Sequence, residues 1–112
     1  MDEIKAITRM KSGDPAGLRT LVDLFQVQAV QAAALITRDR AIAEDIVQNA
    51  FLRSFERIHQ FDTTRPFRPW FMRIVINDAV KAANSLKRQV SLDTHGLHLD
   101  DLLRIAESMQ GD

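Results

Sequence analysis

Residues 43–80 read AEDIVQNAFLRSFERIHQFDTTRPFRPWFMRIVINDAV, and their patterning decides the fold. Ile42, Ile46, Val47, Ala50, Phe51, Phe55 and Ile58 recur at the intervals of one helix face, while Glu44, Asp45, Gln48, Asn49, Arg53 and Glu56 fall on the other side. Phe61, Asp62, Thr63, Thr64 and Arg65 then form a short polar loop. Pro66 and Pro69 suit the first turn of the next helix, where backbone N–H groups lack intrahelical acceptors. That helix is expected to reach about Gln89, with Phe67, Trp70, Phe71, Ile74, Val75, Asp78 or Ala79, and Ala82 inward. Arg73, Asn77, Val80, Asn84, Lys87 and Arg88 fall mostly on an outward face. Ring faces, guanidinium forks and an amide beside a polar loop are the groups that hold unstacked bases and a phosphate backbone.

Upstream of this segment the same period continues. A short helix over residues 2–11 ends at Ser12-Gly13-Asp14-Pro15, where Asp14 can cap the next helix and Pro15 enter its first turn. The second helix covers residues 16–36, with Leu18, Leu21, Val22, Phe25, Ala29, Ala32, Ala33 and Ile36 on one side. Its alanines favour close helix approach in a compact bundle over a cofactor pocket. Thr37 to Arg40 form the connector to the third helix. The expected fold is therefore all-α, a bundle of three to four main helices over residues 1–91, followed by a tail over 92–112.

Hydrophobic side chains make up 46% of the 112 residues, which fits one ordinary domain with a modest core. There are no cysteines, and the three histidines are scattered at 59, 95 and 98, so neither a disulfide framework nor a metal or other cofactor is expected. His95 and His98 bracket Gly96 as linker residues, and His59 sits near a helix end that suits a helix-dipole contact. No apolar run approaches the roughly 20 residues of a membrane span, and the N-terminus lacks a signal peptide's apolar centre. A cytoplasmic protein without membrane insertion is the expectation. The net charge of zero conceals segregation: Arg65, Arg68, Arg73, Lys81, Lys87 and Arg88 face only Asp78 within 65–89, whereas 90–112 set Arg104 against Asp93, Asp100, Asp101, Glu107 and Asp112. Taken singly, Trp70 fits a core aromatic and Arg73 and Asn77 fit solvated positions; their joint occurrence with the loop is what points to nucleic acid.

The acidic-Asp-hydrophobic-hydrophobic-Gln run at 44–48, the Phe-Asp loop at 61–62, and Trp70, Arg73-Ile74 and Asn77 on the fourth helix resemble the second conserved region of extracytoplasmic-function sigma factors. These are the promoter-recognising subunits of bacterial RNA polymerase, and the weaker similarity extends from about Asp14 to Asp93. The composite is more specific than any single short motif. The resemblance implies a binding module rather than an enzyme, one that binds core polymerase and recognises and melts the minus-ten promoter element. It places Asp45, Gln48 and Asn49 against the coiled coil of the polymerase beta-prime subunit. Phe61, Asp62, Thr63, Thr64 and Arg65 correspond to the loop that captures a flipped base of the non-template strand, and Arg73 and Asn77 to positions that touch that strand. Lys87 and Arg88 extend the basic face for DNA, and an anti-sigma factor is a candidate partner.

Departures from the family pattern carry their own expectations. Asn49 stands where many relatives have glutamate, which removes a charge from the docking face. KAANSLKRQ, at 81–89, replaces a longer arginine run, which lowers affinity for duplex DNA. Relatives also carry a second helical domain that reads the minus-thirty-five element; here the tail reads as the start of a shortened linker, with Leu99, Leu102, Leu103 and Ala106 at the spacing of an amphipathic helix. A second reading retains a sigma-like protein-interaction domain without promoter recognition. An ordinary helix-turn-helix duplex reader is disfavoured, because the turn between the third and fourth helices is long and proline-laden.

Overall fold

The computed structural model describes residues 1–90 and Arg104, with side-chain environments through Leu86 and at Arg104. Within residues 1–90 four helices follow in order: α1 (Glu3–Lys11), α2 (Pro15–Thr37), α3 (Arg40–Glu56) and α4 (Phe67–Val90), with a 3₁₀ turn, Ile58–Gln60, between α3 and α4. The expected tail helix around Leu99 to Ala106, together with His95 and His98, lies outside the described residues.

Local chemistry starts each of the first three helices. Asp2 caps α1 by accepting from the Lys5 N–H at 2.8 Å, Asp14 caps α2 from Ala16 at 2.9 Å with Pro15 in the first turn, and Asp39 caps α3 from Ile42 at 3.1 Å. Between α1 and α2 the chain turns at Gly13, whose φ of +87° is the left-handed conformation that glycine adopts without a Cβ penalty. Arg38 takes the same region at the end of α2, φ 58°, while the buried Thr37 hydroxyl donates to the Ala33 carbonyl at 2.9 Å.

α2 is the central helix, packed against α1, α3 and α4. Its small residues allow this: Ala29, Ala32 and Ala33 are buried in one continuous core with Ala43 and Ala50 of α3 and Ala79 of α4. At Gly17 the crossing with α1 is close, since a Cβ there would overlap the Ala6 carbonyl oxygen. By length and composition α2 is also long and apolar enough to cross a membrane, contrary to the expectation that no run approached that length; its buried face serves the bundle core.

Two findings refine the expected faces. Ile58 sits on the 3₁₀ turn, not on α3, because the helix ends at Glu56 and the chain tightens; the residue is nonetheless 1% exposed and joins the core. α4 packs against both α2 and α3, so Met72 and Ile76 are buried beside the expected Phe67, Phe71, Val75 and Ala79. An aromatic column runs through the core, with centroid separations of 4.3 Å for Phe51–Phe71, 5.6 Å for Phe67–Phe71 and 5.8 Å for Phe25–Phe67. It extends to the buried Phe61 and the half-buried Trp70, beneath the loop that precedes α4.

Candidate nucleic-acid interface

The loop from Phe61 to Pro66 has an ordered backbone. The Asp62 carboxylate accepts from the Thr64 N–H at 2.9 Å and the Thr64 hydroxyl at 2.7 Å, and the Arg65 N–H donates to the Asp62 carbonyl at 3.1 Å. This is a local side-chain turn closed by a backbone one. The Thr64 hydroxyl, then its amide, with smaller help from the Arg65 and Lys11 charges, holds the Asp62 carboxyl below its ordinary value of 3.8. Asp62, Thr63, Thr64, Arg65 and Pro66 are exposed, whereas Phe61 is 3% exposed. The Phe61 ring packs on Phe67 at 5.6 Å and on Trp70 at 5.1 Å, so it supports the loop from beneath.

Over that aromatic floor lies a concavity of about 500 Å³, lined by Gln60, Phe61, Asp62, Arg65, Pro66, Pro69, Trp70 and Arg73. A second, of about 330 Å³, shares Trp70 and Arg73 as its wall and adds Arg53, Arg57, Ile74, Asn77 and Asp78. Arg73 and Asn77 are exposed one turn apart on α4. Arg53 pairs with Asp78, whose side chain is only 14% exposed, which ties α3 to α4 at the base of the second concavity. Of the other cations, Arg68 donates to the Gln28 amide oxygen at 3.1 Å and so faces α2, while Arg65 stands 3.8 Å from the Asp62 carboxylate. The arrangement offers apolar ring surface, hydrogen-bonding groups and guanidinium charge within one continuous face. Such a face suits a single strand with a base turned out of the stack.

Asp45, Gln48 and Asn49 are exposed together on α3, where the Asn49 amide donates to Asp45 at 3.5 Å. Arg53 lies one turn beyond Asn49, about 6 Å along the axis, so the same helix carries this polar face and one wall of the second concavity. Thr63 and Thr64 are exposed on the loop but line neither concavity. The backbone of Lys87 and Arg88 belongs to the last turns of α4, and their side chains lie outside those described.

Several contributors escaped the sequence reading. In the pattern Arg53 is one of the polar residues opposite the apolar face of α3 and Arg57 carries no signal, although their i, i+4 spacing puts both on one side of the chain entering the loop. Glu3 and Lys11 of α1 reach the two ends of the loop, at Phe67 and Phe61. Nothing in a local pattern could signal contacts across such separations.

Residues 21–89 match the family described as Sigma-70 region 2. The chain is similar to the ECF RNA polymerase sigma factor SigW of Bacillus subtilis, 32% identical over 89 residues, covering 80% of this chain and 48% of that protein. It is similar also to the sigma factor CnrH of Cupriavidus metallidurans, 33% identical over 66 residues, 59% of this chain and 35% of that one. The probable sigma factor RfaY of Xanthomonas campestris is 40% identical over 57 residues, 51% of this chain and 14% of that one. The chain thus spans about half or less of the length of these relatives. No solved structure matches it significantly.

Proposed function

The chain belongs to the Sigma-70 region 2 family, and from that premise we propose that it is the module of an extracytoplasmic-function sigma factor that docks on core RNA polymerase and holds the opened minus-ten promoter element. The observation that carries this reading is the concavity over Phe61 and Trp70, rimmed by Asp62, Arg65 and Arg73 and continuous with Asn77. Flipping a base costs on the order of a few kcal/mol of unstacking, and a preformed pocket with polar groups at its rim is the kind of site that offsets it. Arg65, Arg73 and the basic end of α4 supply sequence-independent hold on phosphates, while Asn77 and the Asp62–Thr64 turn are suited to base edges. The module works by binding; catalysis belongs to polymerase. Its partners in this reading are the beta-prime coiled coil, on Asp45, Gln48 and Asn49, and the non-template strand, with an anti-sigma factor as a regulator and the cytoplasm as the site of action.

Docking is tested by pull-down of core polymerase, or of the isolated beta-prime coiled coil, with the Asp45→Ala/Gln48→Ala double variant. Both side chains are exposed, so the bundle should melt as the unmodified chain does while retention of polymerase falls. Equal retention by a well-folded double variant overturns the docking assignment. Retention of polymerase without binding of any single strand leaves the interaction-domain reading in its place.

A further inference from the structure

α1 lies outside the residues that match the family, yet it grips both ends of the loop over the concavity. At the near end, the Lys11 ammonium donates to the Phe61 carbonyl at 3.1 Å. At the far end, a Glu3 carboxylate oxygen accepts from the Phe67 N–H at 3.2 Å. The second contact fills a local gap. α1, α2 and α3 each begin after an aspartate that caps them, but α4 follows Pro66, which has no side-chain acceptor to offer the first-turn N–H groups. A carboxylate brought from 64 residues away supplies the cap, and its charge is favoured by the positive end of the helix dipole. Glu3 and Lys11 are both half-buried, so neither bond is fully open to competing water. They stand about 12 Å apart along α1, and the helix between them is anchored through the buried Ala6, Ile7 and Met10 against α2 and the 3₁₀ turn. The loop is thereby strung between two fixed points of a separately packed element.

We propose that α1 is a strap that sets the shape of the base-holding loop, with Glu3 and Lys11 as positioning residues that govern discrimination among bases and leave polymerase docking untouched. The proposal rests on the strand-binding reading above. Pre-setting the loop removes an ordering cost at the moment a base enters, and it holds the rim groups to one geometry. A loose loop would still be basic and still hold phosphates. It would distinguish bases less well.

The test uses the full chain carrying Glu3→Ala, Lys11→Met or both, with Lys11→Arg as the variant that keeps a donor and Glu3→Gln as one that keeps an acceptor, available if Glu3→Ala fails to fold. Amide hydrogen exchange of the DNA-free chain reads the strap directly: Phe67 should exchange faster in Glu3→Ala, and Asp62 to Arg65 faster in Lys11→Met, with Lys11→Arg near the unmodified rate. Binding is read with single strands that the unmodified chain selects from a pool randomised over the minus-ten segment, as the ratio of affinities for the selected strand and single-base variants of it. That ratio should fall about three- to tenfold per lost bond, and polymerase retention should stay constant. Unchanged exchange, or faster exchange with an unchanged ratio, overturns the proposal. A fallen ratio with unchanged exchange does so too, since the residues would then act on the strand directly. An unmodified chain that selects no strand refutes the strand-binding reading instead, while exchange still decides whether the strap exists.

Discussion

Replacing Gly17 with alanine adds one methyl group where the backbone of α1 lies close against α2. The new Cβ would overlap the Ala6 carbonyl oxygen and come within 3.0 Å of Met10 Cγ. Met10 can turn aside; the backbone oxygen cannot. Restoring a carbon–oxygen separation of roughly 3.3 Å requires α1 to back away by about 1 Å. Such overpacking costs about 1–3 kcal/mol, and the gain in helix propensity returns well under the ~1 kcal/mol of an interior position because Gly17 lies in the first turn. The net loss of about 1–2 kcal/mol corresponds to a melting temperature lower by about 5–15 °C for a domain of this size. Thermal melting followed by circular dichroism measures it. The same displacement carries Glu3 and Lys11 away from Phe67 and Phe61, so the loop amides should exchange faster in this variant as well. A melting temperature equal to or above that of the unmodified chain would refute the argument, because it would mean that α1 can yield at no cost.

Three further outcomes follow from the same contacts. Because the Thr64 hydroxyl and amide depress the Asp62 carboxyl, the stabilisation of the turn is present above the ordinary pKa of 3.8 and is lost as pH falls through the lower folded value. An NMR titration of the Asp62 carboxyl carbon should have its midpoint below 3.8, and Thr64→Val should move it upward. Asp78→Ala leaves Arg53, whose side chain is 34% exposed, without its ion-pair partner. It should lower stability by about 1–3 kcal/mol, less than a fully buried pair would lose, read as a lower urea midpoint at constant slope. Asn77→Ala should reduce discrimination between strands more than total affinity, whereas Lys87→Ala should weaken binding to all sequences alike and flatten the salt dependence by about one unit, both measured by fluorescence anisotropy at stated salt.

The architecture was legible wherever a local rule acts alone. Asp14-Pro15 and Asp39 mark helix starts by the side-chain acceptors they offer, and the apolar stripe of α3 follows from a single buried face. Local pattern and structure part where two elements combine. Ile58 continues the α3 stripe in spacing although the helix has already ended, because the 3₁₀ turn keeps that side chain on the same side of the chain. Met72 and Ile76 look peripheral on a one-faced wheel but are buried by a second neighbouring helix. α2 passes as a spanning helix because alanines chosen for close packing also raise hydropathy. At the candidate site the loop, Arg73 and Asn77 announce themselves by residue type, but the depth of Phe61 and the reach of Glu3 and Lys11 depend on how α1 returns to the loop. That is a property of the folded bundle, not of any sequence window.

Whether this bundle holds an opened strand is decided by fluorescence anisotropy of one selected minus-ten sequence presented as the non-template single strand, as its duplex and as a scrambled strand, at one fixed salt concentration. Binding should be tightest to the selected single strand, with the scrambled strand and the duplex weaker and alike in their dependence on salt. Equal affinity for all three would contradict it and would reduce the face built by Arg65, Arg73 and Asn77 to a generic basic surface.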